Sequence, residues 1–163
     1  MVPDNPRRHG AVRRGLHRCP KHPPPIIERT VGGFLQIDSG WARLLGDTES
    51  FGAFDWRSHV NSNPAKPVFV ILLRSSKPGR WAEALPETAL VCDGRRIGIG
   101  CRRADVFKGE TARASFLVCD ATMEDLAALS GATDAALVID GRRCSFGASG
   151  PETFRELKRR SER

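Results

Sequence analysis

The chain has no tyrosine, two methionines and only four histidines. Three of those histidines, His9, His17 and His22, fall in the first 22 positions, which leaves His59 alone in the rest. So few groups that titrate near neutrality make a thin acid–base inventory for an enzyme. No Ser–His–Asp set and no pair of catalytic carboxylates stands out. Long apolar runs are missing as well. The longest, Val68 to Leu73, is six residues, far short of the ~20 that a membrane helix needs. The N-terminus carries no apolar stretch of signal-peptide type. These absences predict a soluble, cytoplasmic protein with no membrane partner.

Paired C-x2-C spacing is also absent. The five cysteines are scattered as Cys19, Cys92, Cys101, Cys119 and Cys144. Their odd number and mostly strand-like surroundings predict buried thiols in a reducing compartment, with no disulfide framework and no cofactor. Lysine is scarce: five against 21 arginines. The net charge of +7 suggests nucleic acid or an acidic partner. Yet residues 1–30 hold seven Lys/Arg and two acids, so that segment carries most of the excess. It also holds six of the eleven prolines. Residues 1–30 are therefore expected to be a disordered basic tail, and 31–163 a single small domain.

The domain writes one phrase twice. ALVCDGRRIGIG at 89–100 returns as ALVIDGRRCSFG at 136–147, identical at eight of twelve positions. Asp-Gly between apolar runs marks a two-residue hairpin, because both central residues of a type I′ turn need positive φ. Turns at Asp93-Gly94 and Asp140-Gly141 place Cys92 opposite Arg95 and Leu90 opposite Ile97. Strand alternation then gathers Leu90, Cys92, Ile97 and Ile99 on one face, and Leu137, Ile139, Cys144 and Phe146 on the corresponding face. The repetition thus predicts two hairpins that share a core.

Other elements follow from local pattern. VFVILLR at 68–74 reads as a central strand. GFLQID and ARASFLVC read as strands, and SGWARLLGD as a single helical turn starting at Ser39. Asp120 or Thr122 caps a short helix near 122–130, Asp125 standing three residues after Thr122 in capping-box fashion, with Gly131 in the C′ position. Pro151 and the acids beside it open a C-terminal helix near 151–161. The expected class is α+β: a mostly antiparallel sheet with two Asp-Gly β-hairpins and helices on one side. Trp41, Phe51, Phe54 and Trp56 lie in a poorly patterned region and read as a secondary core or a partner-binding patch.

Several groups are candidates for chemistry. If the two turns share one end of the sheet, Arg95, Arg96, Arg142 and Arg143 converge; with Arg102 and Arg103 they form a candidate site for anions or nucleic acid. Against this, no outward aromatic is expected for base stacking. His17, Cys19 and His22 have metal-ligand chemistry but sit in a proline-rich segment without a clear fourth ligand. Cys101, beside two arginines, is the candidate thiolate nucleophile. Gly94, Gly98 and Gly100 fall inside a hairpin arm, not between a strand and a helix, which argues against a dinucleotide loop and for a bulge or a close backbone approach. The leading expectation is a non-catalytic binding or structural module with an unknown protein partner. The alternatives are nucleic-acid or anion binding, with nucleic acid also reaching residues 1–30, and a thiol-dependent enzyme.

Overall fold

The computed structural model describes residues 25–46, 54–104 and 114–163. Its elements run β1 (Ile26–Val31), β2 (Phe34–Ser39), β3 (Ala42–Arg43), β4 (Phe54–Asn61), β5 (Val68–Ser75), β6 (Thr88–Cys92), β7 (Arg95–Arg103), β8 (Ser115–Ala121), α1 (Met123–Gly131), β9 (Ala135–Ile139), β10 (Arg142–Ser145) and α2 (Ser149–Ser161). The strands form one antiparallel sheet in the order β1-β2-β4-β5-β8-β7-β6-β9-β10, with β3 also on β4. The fold is α+β, as expected. VFVILLR is β5, seated between β4 and β8. No described helix is long and apolar enough to cross a membrane.

Both Asp-Gly hairpins form in the expected register. Asp93 and Gly94 take φ of 49° and 83°, Asp140 and Gly141 48° and 77°, the positive values a type I′ turn demands. Cys92 pairs Arg95, and Ile139 pairs Arg142. Leu90, Leu137, Ile139 and Phe146 are buried in the main core, with Ile97 and Ile99 packed at its margin.

The repeat has a further order. Strands β6 and β9 lie side by side, antiparallel, with Leu90 opposite Leu137. These are equivalent positions of the phrase, so a local two-fold axis relates the two hairpins. Each turn aspartate braces the other copy. Asp93 donates its N–H to the Asp134 carbonyl (2.9 Å), and its carboxylate accepts the Asp134 N–H (2.8 Å). Asp140 donates its N–H to the Glu87 carbonyl (2.9 Å) and accepts the Glu87 N–H (3.0 Å). Glu87 and Asp134 are equivalent in turn.

Four local expectations need correction. Ile26 to Thr30 were assigned to the tail but belong to β1; the first 24 residues lie outside the described ones. The stretch after Ser39 is not a helical turn. The pairing with β4 shifts by one residue between Asp38–His59 and Ala42–Trp56, which makes a β-bulge. At the break, Ser39 Oγ accepts the Ser58 N–H at 2.8 Å, so cross-strand bonding outweighs the local helical pattern. Gly131 is the last residue of α1, and extended Ala132 caps it by donating to the Leu129 carbonyl. Finally, α2 begins at Ser149, two residues before the expected start. The capping box of Thr122 and Asp125 is present as expected.

The sheet curls upon itself. Beyond β3, Leu44 donates to the Phe54 carbonyl, and Leu45 then bridges Ser145 of β10 through two N–H···O bonds of 2.8 and 2.6 Å. Inside the curl, α1 and α2 pack on each other, α2 against β2 and β4, and α1 against β5. Trp56 meets Phe146 at 4.9 Å and Phe154 at 5.1 Å between ring centres. Phe54 and Trp56 are therefore core residues. Trp41 is half-buried in a second cluster with Val70, Phe116 and Val118, and Arg74 lies 4.3 Å over its ring. Phe51 lies outside the described residues.

Candidate functional site

The two hairpin turns lie at opposite ends of the sheet, because β6 and β9 run antiparallel. The structure therefore does not gather Arg95 and Arg96 with Arg142 and Arg143. The second arginine of each pair is held within its own copy: Arg96 by Glu87 at 3.3 Å, and Arg143 by Asp134. Arg102 pairs with Asp120 at 3.2 Å. Arg103 donates to the Trp81 and Ala82 carbonyls at 2.8 and 2.5 Å and fastens that loop to β7. Four of the six arginines are thus engaged by neighbouring groups of the chain, Arg103 through backbone carbonyls and the others through exposed ion pairs.

Cys101 and Cys119 are directly opposed on β7 and β8, and their sulfurs are bonded as a disulfide. The chain thus holds a disulfide where only thiols were expected, because the cross-strand register brings together two cysteines 18 residues apart in sequence. In this state Cys101 has no thiolate to offer. Cys92 and Cys144 remain buried thiols. Burial pushes both thiols up, and Asp93 and Asp125 push Cys92 further, the opposite of what a nucleophile needs. His17, Cys19 and His22 lie outside the described residues. Among the described residues, no three His, Cys, Asp or Glu side chains are grouped to hold a metal.

A different site emerges on the convex face. Gly32 and Gly33, at φ of 59° and 82°, turn β1 into β2 as a third tight hairpin. Alternation and register put Ile27, Arg29 and Val31 on the same side as Phe34, Gln36 and Asp38, continuing to Arg57 and His59 of β4. Asp38 is 2% exposed. Three hydrogen bonds converge on it, from His59 Nδ1 at 2.7 Å, Arg29 Nη2 at 2.8 Å and Gln36 Nε2 at 3.2 Å, and the Arg57 guanidinium forms an ion pair at 3.3 Å. Burial opposes its ionisation. Hydrogen bonds from His59 and Arg29, with the charges of His59 and Arg57, outweigh burial and hold the carboxyl well below the usual carboxylate range. A carboxylate has about four acceptor positions, so three donors and the Arg57 charge occupy most of it and tie β1, β2 and β4 together.

Three apolar side chains are exposed on the same face of the hairpin. Ile27 is 57% exposed, Val31 49% and Phe34 38%. The other large apolar side chains exposed among the described residues, Leu45 and Leu85, lie away from the hairpin.

Compared with known proteins, the chain matches no family model, no curated protein and no solved structure. The site must be read from its own chemistry. It offers three apolar side chains on a stiffened ribbon, two guanidinium groups beside them, and a strand edge that no described residue pairs. Those are the parts of a recognition surface. The sequence reading passed over Asp38, whose partners come from three strands, and split the hairpin between tail and domain.

Proposed function

We propose that the chain is a non-catalytic binding module that engages a protein partner through the convex face of the β1–β2 hairpin. The observation that carries this reading is the gathering of Ile27, Val31 and Phe34 on one face of one hairpin. Scattered exposed apolar residues are normal, whereas three on one face of one hairpin, parted only by the Arg29–Gln36 row, point to contact. The Asp38 cluster supplies the frame: side chains and strand already held in place lose less freedom on association. A photo-reactive benzoylphenylalanine at position 27, introduced in cells that produce the protein, tests this. Defined protein adducts from position 27, and none from a probe at Glu124 on α1, are the expected result. No adduct from position 27 would refute the reading.

The rival is nucleic-acid or anion binding through residues 1–30 and the arginines. Retention on heparin over a salt series, for the full chain and for a chain starting at Pro25 that keeps β1 whole, separates the two. Phosphate binding gives a steep salt slope that flattens when the arm is removed. A cytoplasmic setting belongs to the same proposal. The Cys101–Cys119 disulfide speaks against that setting, and thiol trapping in intact cells decides: a reduced pair supports the cytoplasm, a joined pair places the protein outside it.

A further inference from the structure

We infer that the partner of the β1 edge is a second copy of this chain, joined by antiparallel pairing of β1 with its symmetry mate about Arg29. This rests on the hairpin being the binding surface, and adds who occupies it. The backbone sets the first condition. Val31 and Phe34 close a two-residue hairpin, so their N–H and C=O groups face each other. Along β1 every second residue does the same, and the Pro25 carbonyl accepts the Gly40 N–H at 2.8 Å in keeping with that phase. The backbone groups of Glu28 and Thr30 therefore point away from β2, towards the edge that no described residue pairs. An edge of this kind is a template for another strand.

A two-fold pairing must be self-complementary, and β1 satisfies this in one register. With Arg29 on the axis, Glu28 faces the mate's Thr30 and their outward N–H and C=O groups bond reciprocally. Ile27 then faces the mate's Val31 in a non-hydrogen-bonded pair, where side chains come closest, and this happens twice. Phe34 lies beside each of these pairs, opposite Val31. Moving the axis to Glu28 puts glutamate against glutamate and Ile27 against Arg29. A slip of one residue opposes convex-face with concave-face positions and matches nothing. Charge allows the preferred register. Each Arg29 is held by its own Asp38 at 2.8 Å, and each Glu28 by Arg160 at 3.0 Å. Each Arg29 shares its Asp38 with Arg57, so the arginines that meet at the axis are partly neutralised and their remaining repulsion weakens the pairing.

The contact is small, so association should be concentration-dependent across the micromolar range. Sedimentation velocity of the full chain tests it, with two variants. Thr30→Pro removes an outward N–H and leaves the β1–β2 ladder intact; Ile27→Lys places a charge in the apolar pair. The expected result is a monomer–dimer equilibrium that each variant weakens at least ten-fold, with unchanged melting. If Thr30→Pro itself disturbs folding, Ile27→Lys, at an exposed position, still decides. A protein that stays monomeric at the highest soluble concentration, or a dimer that both variants leave intact, overturns the inference. Adducts from position 27 to a different protein would leave the binding-module reading standing without this partner.

Discussion

Asp38 is the residue on which the convex face depends. Changing it to asparagine keeps the shape but leaves Arg29 and Arg57 crowded around a neutral amide. Removing one member of a buried ion cluster typically costs about 3 kcal/mol, and urea unfolding of D38N at pH 7 should show a loss of that order. The pH dependence follows from the direction of its shift. Its folded-state value lies below the unfolded one of ~3.9, so its contribution is complete above that value and is lost as the pH falls towards the folded one. Wild-type stability should therefore drop below about pH 4 by a component that D38N lacks. Gly150 sets another test at this scale. Alanine normally stabilises a helix interior by roughly 1 kcal/mol over glycine, but here a Cβ would come within 2.5 Å of Phe146 Cβ. The clash decides the sign, and G150A should melt lower than wild type. Neither residue announces itself in the sequence, because its neighbours come from remote strands or from the packing of α2.

At the scale of elements, the turn aspartates do more than shape their turns. Each accepts backbone N–H groups from the opposite copy, two for Asp93 (from Thr133 and Asp134) and one for Asp140 (from Glu87). Hydrogen bonds of this kind contribute about 1 kcal/mol each. D93A should consequently lose more than D140A in chemical denaturation, and the reverse order would contradict the bracing. The hairpins themselves were legible because Asp-Gly and a clean alternation are local signals. Gly32-Gly33 is an equally local signal, but the proline-rich segment before it drew the domain boundary between Thr30 and Val31, leaving all of β1 but its last residue in the tail. In β4 the inward row is Phe54, Trp56, Ser58 and Val60; the serine interrupts the apolar alternation that would have revealed a strand. Its N–H is satisfied by Ser39 Oγ across the bulge, a partner 19 residues away that no local window contains.

For the whole molecule, one link staples neighbouring strands and another closes the curl. The disulfide joins β7 and β8 across an 18-residue separation, and a loop near that length restricts the unfolded chain by about 3 kcal/mol. Reductant, or C101S with C119S, should lower Tm by roughly 5–10 °C. An unchanged melt would mean that the bond carries no such role. The other link is the bridge from Leu45 to Ser145. At Gly46 a Cβ would meet the Arg143 carbonyl oxygen at 2.9 Å, so G46A should pry this seam apart. Faster amide exchange at Leu45 and Ser145, with the β6–β9 amides unaffected, is the expected signature. Composition and pattern predicted the α+β class, but neither encodes strand order, and order alone decides that the arginine pairs point to opposite ends.

That seam also governs how the protein comes into being. Synthesis proceeds from the N-terminus, so the strand next to Leu45 is finished long before its mate at Ser145 leaves the ribosome. Throughout that interval the half-built ring has an open flank at Leu45 and another along β6, each able to recruit a neighbour's strand. The last hairpin is therefore the latch, and a nascent chain stalled before Ala135 is the species most exposed to entanglement with its own kind.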